Sequence, residues 1–394
     1  MHPAEEFLDM IGLSRTFRRA AKLRTLALAS VLLAAGCNTL DVQNPNDPDA
    51  GRALASGGDV RSLVGGAFGN WYYSMQNYGP STTTATMADH YTASWGNWGM
   101  RAYSNEPRIA LNNSATERSD ILQVFEGPWF GNYGALVSAN LAIQAINNGL
   151  DIDETDPSQT DMVLAASTFL QGATLSNIAL FFDKGYVVDE TTDPTTVAFA
   201  TRAEVRDAAL AKLDAAIALA GASTFQLPEA YLNITGWTNT QLRQVANTVA
   251  ARTIAYFART AAENTAADWA KVVQYASAGI SSGTGFSPSI TGDGGINWSD
   301  PYKAAMEDWV SWSRVDMRVV CQMDPAQPCV HPNNTTEIGR PVSADFRMTG
   351  GGDTLLADFN WHPAAEIPHN PARGLYHFSE VGHQRYYSHS FDAP

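Results

Sequence analysis

The sequence is short of charge, and most of all short of positive charge. Only 16% of its 394 residues are charged, with 25 Lys and Arg against 40 Asp and Glu, for a net charge of −15. Such a surface repels phosphate backbones, which disfavours nucleic-acid binding, and it argues against lying flat on anionic lipid. There are three cysteines, Cys37, Cys321 and Cys329, and no zinc-type spacing among them. There is no phosphate loop, no dinucleotide fingerprint, no Gly-x-Ser-x-Gly elbow and no His-x-x-x-His on a helix. His331, His362, His369, His377, His383 and His389 all fall late in the chain and read as loop and strand residues, so no metal ligands and no catalytic residues are assigned. No segment past the N-terminal region reads as apolar and long enough to span a bilayer.

That N-terminal region carries the most specific signal. Arg15, Arg18, Arg19, Lys22 and Arg24 form a basic stretch, followed by an apolar run from Leu26 to Ala35. The run has the length of a signal-peptide core and is too short to cross a membrane. It ends Leu33-Ala34-Ala35-Gly36-Cys37, the pattern of a lipobox, with Ala34 where Leu is commoner. Small residues fit the peptidase site, and a thiol directly after the cut can carry diacylglycerol. Cys37 is therefore expected to be a lipid anchor and residues 1–36 a removed leader. The competing reading is an ordinary signal peptide with a chance cysteine. Glu5, Glu6 and Asp9 are odd for a leader, which makes Met10 an alternative start. Residues 37–51, rich in Asn, Asp and Pro, read as the tether, because that composition buries too little apolar area to offset ordering. The leader removes five basic and three acidic side chains, so the mature part is close to −17.

Roughly 355 residues then remain, above the size where single cores usually stop growing. Residues 52–394 are read as a single domain with a helical scaffold over about 120–282. Leu210, Leu213, Ile217 and Ala220 mark one amphipathic helix, with Thr201 and Glu204 as a capping box and Gly221 as its stop. Trp269, Val273, Ala276 and Ile280 form a second stripe, opening after Thr265 and closing at Ser281 to Gly283. Further helices are expected over 162–182, with Leu175, Ile178 and Phe182 on one face, over 240–262, rich in Ala, and near 129–147. Small-residue contacts suggest antiparallel pairs of tetratricopeptide type, although the strict repeat signature is not met. Residues 71–110 and 283–394 show little period and read as long loops and short strands that build a ligand face.

Aromatic rings crowd those two aperiodic regions. Trp71, Tyr72, Trp95, Trp98 and Tyr103 lie in the first, and Trp298 and Tyr302 in the second. Sugar rings have apolar C–H faces that stack on aromatic rings, which makes these seven the candidate ligand-binding residues. Trp95 and Trp98, flanked by glycines, are the best platforms. The plain alternative for each ring is core under a long loop. Two acidic knots, Asp151-Asp153-Glu154-Asp156 and Asp293 with Asn297 and Asp300, could hold calcium, but neither matches a full EF-type loop. Capping and solvated turns explain them as well. No cofactor is otherwise expected. Cys321 and Cys329, with Pro325 and Pro328 between them, are expected to pair in an oxidising compartment, the alternative being two free buried thiols.

The order of features resembles the SusD/RagB family of outer-membrane nutrient-binding lipoproteins. Leu40-Asp41-Val42-Gln43-Asn44-Pro45-Asn46 is similar to its post-anchor segment. Ser138-Ala139-Asn140 to Asn147 resembles the helix bearing the family's Asn. Phe169-Leu170-Gln171-Gly172 to Phe181-Phe182-Asp183 resembles its long helix, with Gln171 where Arg is usual and a Phe in place of a Gly. Glu204 to Leu219, Ala250-Ala251-Arg252 to Tyr256, and Arg373 to Ser379 look like later family segments. The resemblance implies a mostly α, SusD-like fold and binding without catalysis. It also implies an outer-membrane, surface location and a TonB-dependent, SusC-like barrel as partner, with a polysaccharide or oligosaccharide as ligand. Family members usually add a late helix, and the stop at Pro394 without one raises truncation as an expectation. A glycan-active lipoprotein hydrolase and a helical-repeat lipoprotein that binds only protein or peptide are the alternatives.

Overall fold

A computed structural model describes residues 54–76, 119–232 except 194, 236–281 and 314–329, with short pieces at 84–89, 91–92, 103, 114, 283, 285–286, 359–361 and 381–383. The described part is mostly α. Seven helices carry its core: α1 (Gly57–Gln76), α2 (Ser119–Asn147), α3 (Ser158–Phe181), α4 (Arg202–Ala222), α5 (Glu229–Leu232), α6 (Asn239–Ala255) and, after the short α7 (Ala261–Thr265), α8 (Trp269–Ala278). α9 (Met317–Met323) lies later in the chain. The strands are short and paired antiparallel: β1 (Tyr91–Thr92) with β4 (Arg314–Val315), β2 (Lys184–Gly185) with β3 (Ala200–Thr201), and β5 (Phe359–Trp361) with β6 (Val381–His383).

Helix starts follow local chemistry. Thr201 and Glu204 form the expected capping box on α4, the Thr201 N–H donating to Glu204 at 2.7 Å. Thr238 with Gln241 and Thr260 with Glu263 do the same for α6 and α7. The helix expected over 240–262 therefore breaks after Ala255, because Thr260 caps a new one. α4 runs one residue past Gly221 and ends at Ala222. α8 opens after Thr265 as expected, with Asp268 as its cap, and closes at Gly279, before the serines.

Packing is sequential. α1 lies against α2, α2 against α3, α3 against α4, α4 against α6 and α6 against α8. Polar contacts give the directions. Asn132 on α2 bonds Asn177 on α3 while Asn140 bonds Gln171, Ser223 after α4 bonds Asp161 near the start of α3, and Asn239 at the start of α6 bonds the Ala220 carbonyl near the end of α4. Neighbouring helices are thus antiparallel, as pairs of tetratricopeptide type require. α3 sits at the centre and is buried on every face from Met162 to Ala179 apart from Leu164. Gly172 lets α4 in: a Cβ there would stand 2.6 Å from Leu213 Cγ and 2.9 Å from its backbone nitrogen.

Three expectations need correction. Residues 71–76 are not loop but the last turns of α1, and Trp71 packs edge-on against Phe68 and Phe169 in the core. The glycine-rich opening of α1 carried too little pattern to be read as helix. α3 does have the length and apolarity to cross a bilayer, but its place is the middle of the helical core. Finally, the stripe on α8 faces outward: Val273 is 64% exposed and Trp269 is exposed beside it, while Tyr275 is the buried anchor, bonded to Asp214. The helix packs chiefly on α6, touching α4 through Asp214, so one narrow face suffices. Cys321 and Cys329 do pair, with Cα atoms 5.1 Å apart. The disulfide lies on a segment held to β1 by the β1–β4 pairing and by Arg318, which donates to both Asp316 and Asp89.

Candidate ligand-binding surface

Of the residues singled out from sequence, Cys37, Trp95, Trp98, Trp298 and Tyr302 lie outside the described residues, as does the Asp293 knot. Trp71 and Tyr72 are half-buried on α1, and Tyr103 is buried at 4% exposure. These three of the seven rings therefore do not form an open platform. The Asp151 knot is a run of turns and caps. Asp151 accepts from Thr160, Asp153 from Thr155, and Asp156 from Ser158 and Gln159 at the opening of α3.

The structure instead brings five rings together at one end of the helical stack. Trp129 and Tyr133 come from α2, Phe182 from the residue after α3, and Tyr186 and Phe199 from the two sides of the β2–β3 excursion. Trp129 meets Tyr133 at 4.8 Å and Phe182 at 5.0 Å. Tyr186 and Phe199 stack at 4.2 Å with their planes 19° apart, and Phe199 remains 56% exposed. Burial pushes the Tyr133 hydroxyl up to about 12 against the pull of the Tyr186 N–H. That hydroxyl accepts from the Tyr186 N–H and donates to the Tyr186 carbonyl, so the loop is clipped at its first turn. Gly185 permits the clip, since a Cβ there would lie 2.6 Å from Ile178 and 3.0 Å from the Tyr133 oxygen. Gly185→Ala is expected to cost about 1–3 kcal/mol by overpacking and to release Tyr186. Urea melts and the near-ultraviolet circular dichroism of the aromatic cluster would check it, and an unchanged spectrum would count against the clip.

The same excursion is pinned at its middle. Gln171, buried on α3, donates to Asn140 on α2 at 2.7 Å and to Glu190 at 2.8 Å. Lys212 from α4 reaches Glu190 at 3.3 Å and Asp189 at 3.4 Å. Burial works to raise the Asp189 carboxyl, but hydrogen bonds from Thr192 and Thr191, with Lys212, overcome it and hold the group at about 2. Glu190 is also lowered, its burial outweighed by Gln171, its own backbone and Lys212. Depressed carboxyls contribute stability above their unfolded values and lose it as pH falls through the folded ones. The loop should hold from neutral pH to about pH 4 and loosen between about 4 and 2. Hydrogen exchange of residues 186–199 across that range would show it, and a loosening already at about pH 6 would contradict it.

Ion pairs tie the neighbouring helix ends into the same pole. Arg259, just past α6, pairs with Asp183 and donates to the Phe182 carbonyl. Arg202, opening α4, donates to the Phe257 carbonyl and lies 3.9 Å over its ring. A cleft of about 370 Å3 opens alongside, lined by Arg206, Asp207, Phe257, Glu263, Asp268 and Lys271. Its charges are largely engaged within the fold: Arg206 with Asp207, Glu263 with Arg202, and Asp268 as the α8 cap.

Sequence reasoning marked Phe181-Phe182-Asp183 only as the end of a helix and did not single out Trp129, Tyr133, Tyr186 or Phe199 as a cluster. They are far apart in the chain, and no period links them. No protein-family model matches the chain, and no curated protein matches it. Among solved structures, the chain is similar to a chitin-binding SusD homolog from Flavobacterium johnsoniae, at 13% identity and a TM-score of 0.40, over 78% of this chain. The match spans 56% of the length of that protein.

Proposed function

We propose that this chain is a lipid-anchored binding protein, displayed on the outer membrane, that captures a neutral glycan and passes it to a TonB-dependent barrel without catalysis. One observation carries the reading furthest: segments that resemble SusD/RagB sequence motifs fold as consecutive antiparallel helices in that order. Asn140 and Gln171, drawn from two of those motifs, are hydrogen-bonded to one another across α2 and α3. The lipobox at Cys37 supplies the anchor, since acyl chains add about 0.8 kcal/mol per buried methylene. The acidic, weakly charged composition suits a neutral polar ligand better than a phosphate polymer.

The test is calorimetry of protein starting after Cys37 against soluble neutral polysaccharides, beside Trp95→Ala and Trp98→Ala. Binding that is weakened about tenfold or more in either variant, with no product released, is the expected result. Product formation would favour the hydrolase instead. Absence of binding, with failure of the full-length protein to co-purify with any outer-membrane barrel, would overturn the reading.

A further inference from the structure

We infer that the aromatic pole of the helical stack is a second saccharide site, built on the scaffold and separate in sequence from the Trp95–Trp98 loop. The inference rests on the glycan-binding reading and extends it. Several observations converge on this pole. Phe130, Phe181, Phe199 and Tyr256 are all exposed, at 67%, 41%, 56% and 70%. Phe181 and Tyr256 stand where α3 and α6 end, ends that Arg259 bridges, while Phe199 lies against Trp129 and Tyr186 and Phe130 follows Trp129 on α2. The outermost stacked pair, Tyr186 and Phe199, is held in place before any ligand arrives. Tyr133 clips one side of the loop, Glu190 anchors its middle through Gln171, and the β2–β3 pairing closes its base.

Rigid rings cost little entropy to use, and a flat exposed face is what the C–H side of a pyranose needs. Beside the rings lie groups that suit sugar hydroxyls. Asp183, whose side chain is 85% exposed, and Arg259 present an acceptor and a donor at the rim. The pole carries both charge signs, through Arg259, Arg202, Asp183 and Glu263, so it offers no electrostatic advantage to an anionic lipid surface. The occupant the chemistry fits is a neutral sugar ring within a longer chain.

The experiment measures affinity for three soluble neutral polysaccharides, a β-glucan, a xylan and a dextran, by calorimetry on protein starting after Cys37. Variants are Phe199→Ala, Phe199→Tyr and Tyr256→Ala, each made alone and together with Trp95→Ala and Trp98→Ala. Circular dichroism confirms that each is folded. The expected result is a loss of about threefold to tenfold for Phe199→Ala, recovery in Phe199→Tyr, and residual binding in the double Trp variant that Phe199→Ala removes. If Phe199→Ala and Tyr256→Ala bind as the parent does while the Trp variants fail, the second site is refuted and the glycan reading survives. If those substitutions spare glycan affinity but weaken co-purification of a barrel from full-length protein, the pole is a protein contact and the second site is refuted. If the parent binds none of the three, both the reading and this site fall.

Discussion

Phe169→Ala is expected to lower stability by about 3–5 kcal/mol, a large share of the margin that holds a typical domain folded. The ring is wholly buried and stands where three helices meet. It stacks on Phe68 from α1 at 6.0 Å and takes the edge of Trp71 at 5.5 Å, while its own helix is enclosed between α2 and α4. Tyr231 closes the far side by stacking on Phe68 at 5.5 Å, with its hydroxyl given to the Arg61 carbonyl. Removing the ring leaves a void beside two other rings, Phe68 and Trp71, in a core that is closed to water. Urea midpoints would measure the loss. A cost below about 1 kcal/mol would mean that α1 collapses onto α3 and that the core is less constrained than its packing implies.

Gln171→Leu is the second large effect, at about 2–3 kcal/mol. Leucine fits the volume but donates nothing. Asn140 loses its partner on α3, and Glu190 is left with Lys212 at 3.3 Å and its own backbone. Both acceptors are half-buried, so water replaces the lost donor only in part, and the cost exceeds the worth of an exposed bond. The effect should appear both as lower stability and as faster proteolysis within residues 186–199. Gln171→Glu gives a sharper check through its sign. A second carboxylate against Glu190 raises the pKa of the pair, so the variant should be weakest at neutral pH and recover on mild acidification. The parent protein moves the other way over the acid range. Identical pH profiles for the two would remove Glu190 from the network.

How far the fold could be read from the chain differs from helix to helix. α4 was legible down to its capping box because Leu210 and Leu213 repeat at helical spacing and Thr201 stands before Glu204. α3 was legible as a helix but not in its role. Buried all round, it has no polar face whose direction could be read. α8 shows the converse, since Trp269 and Val273 belonged to a second clear stripe and ended in solvent. Periodicity reports that a helix has an apolar face, not that a neighbour covers it. The site was less legible than the fold. Trp71 and Tyr103, chosen for their aromatic surroundings, turned inward. Tyr186 and Phe199 meet only because the chain leaves α3, crosses Gln171 and Lys212, and returns to α4. That meeting depends on a loop path that composition does not encode.

The sequential packing of the helices also bears on how the molecule is made. From α1 through α6, nearly every helix finds its main partner in the one next to it along the chain, so a growing or threading chain can close each interface as soon as the next helix emerges. Such local closure carries a small loop entropy and favours fast assembly. The β1–β4 pairing asks more than any of these: Tyr91 must find Val315, and Asp89 must find Arg318, 229 residues further on. That junction should be the last to form and the first to open, while the Cys321–Cys329 disulfide, closing a loop of only eight residues, stiffens the far strand's own segment without depending on it.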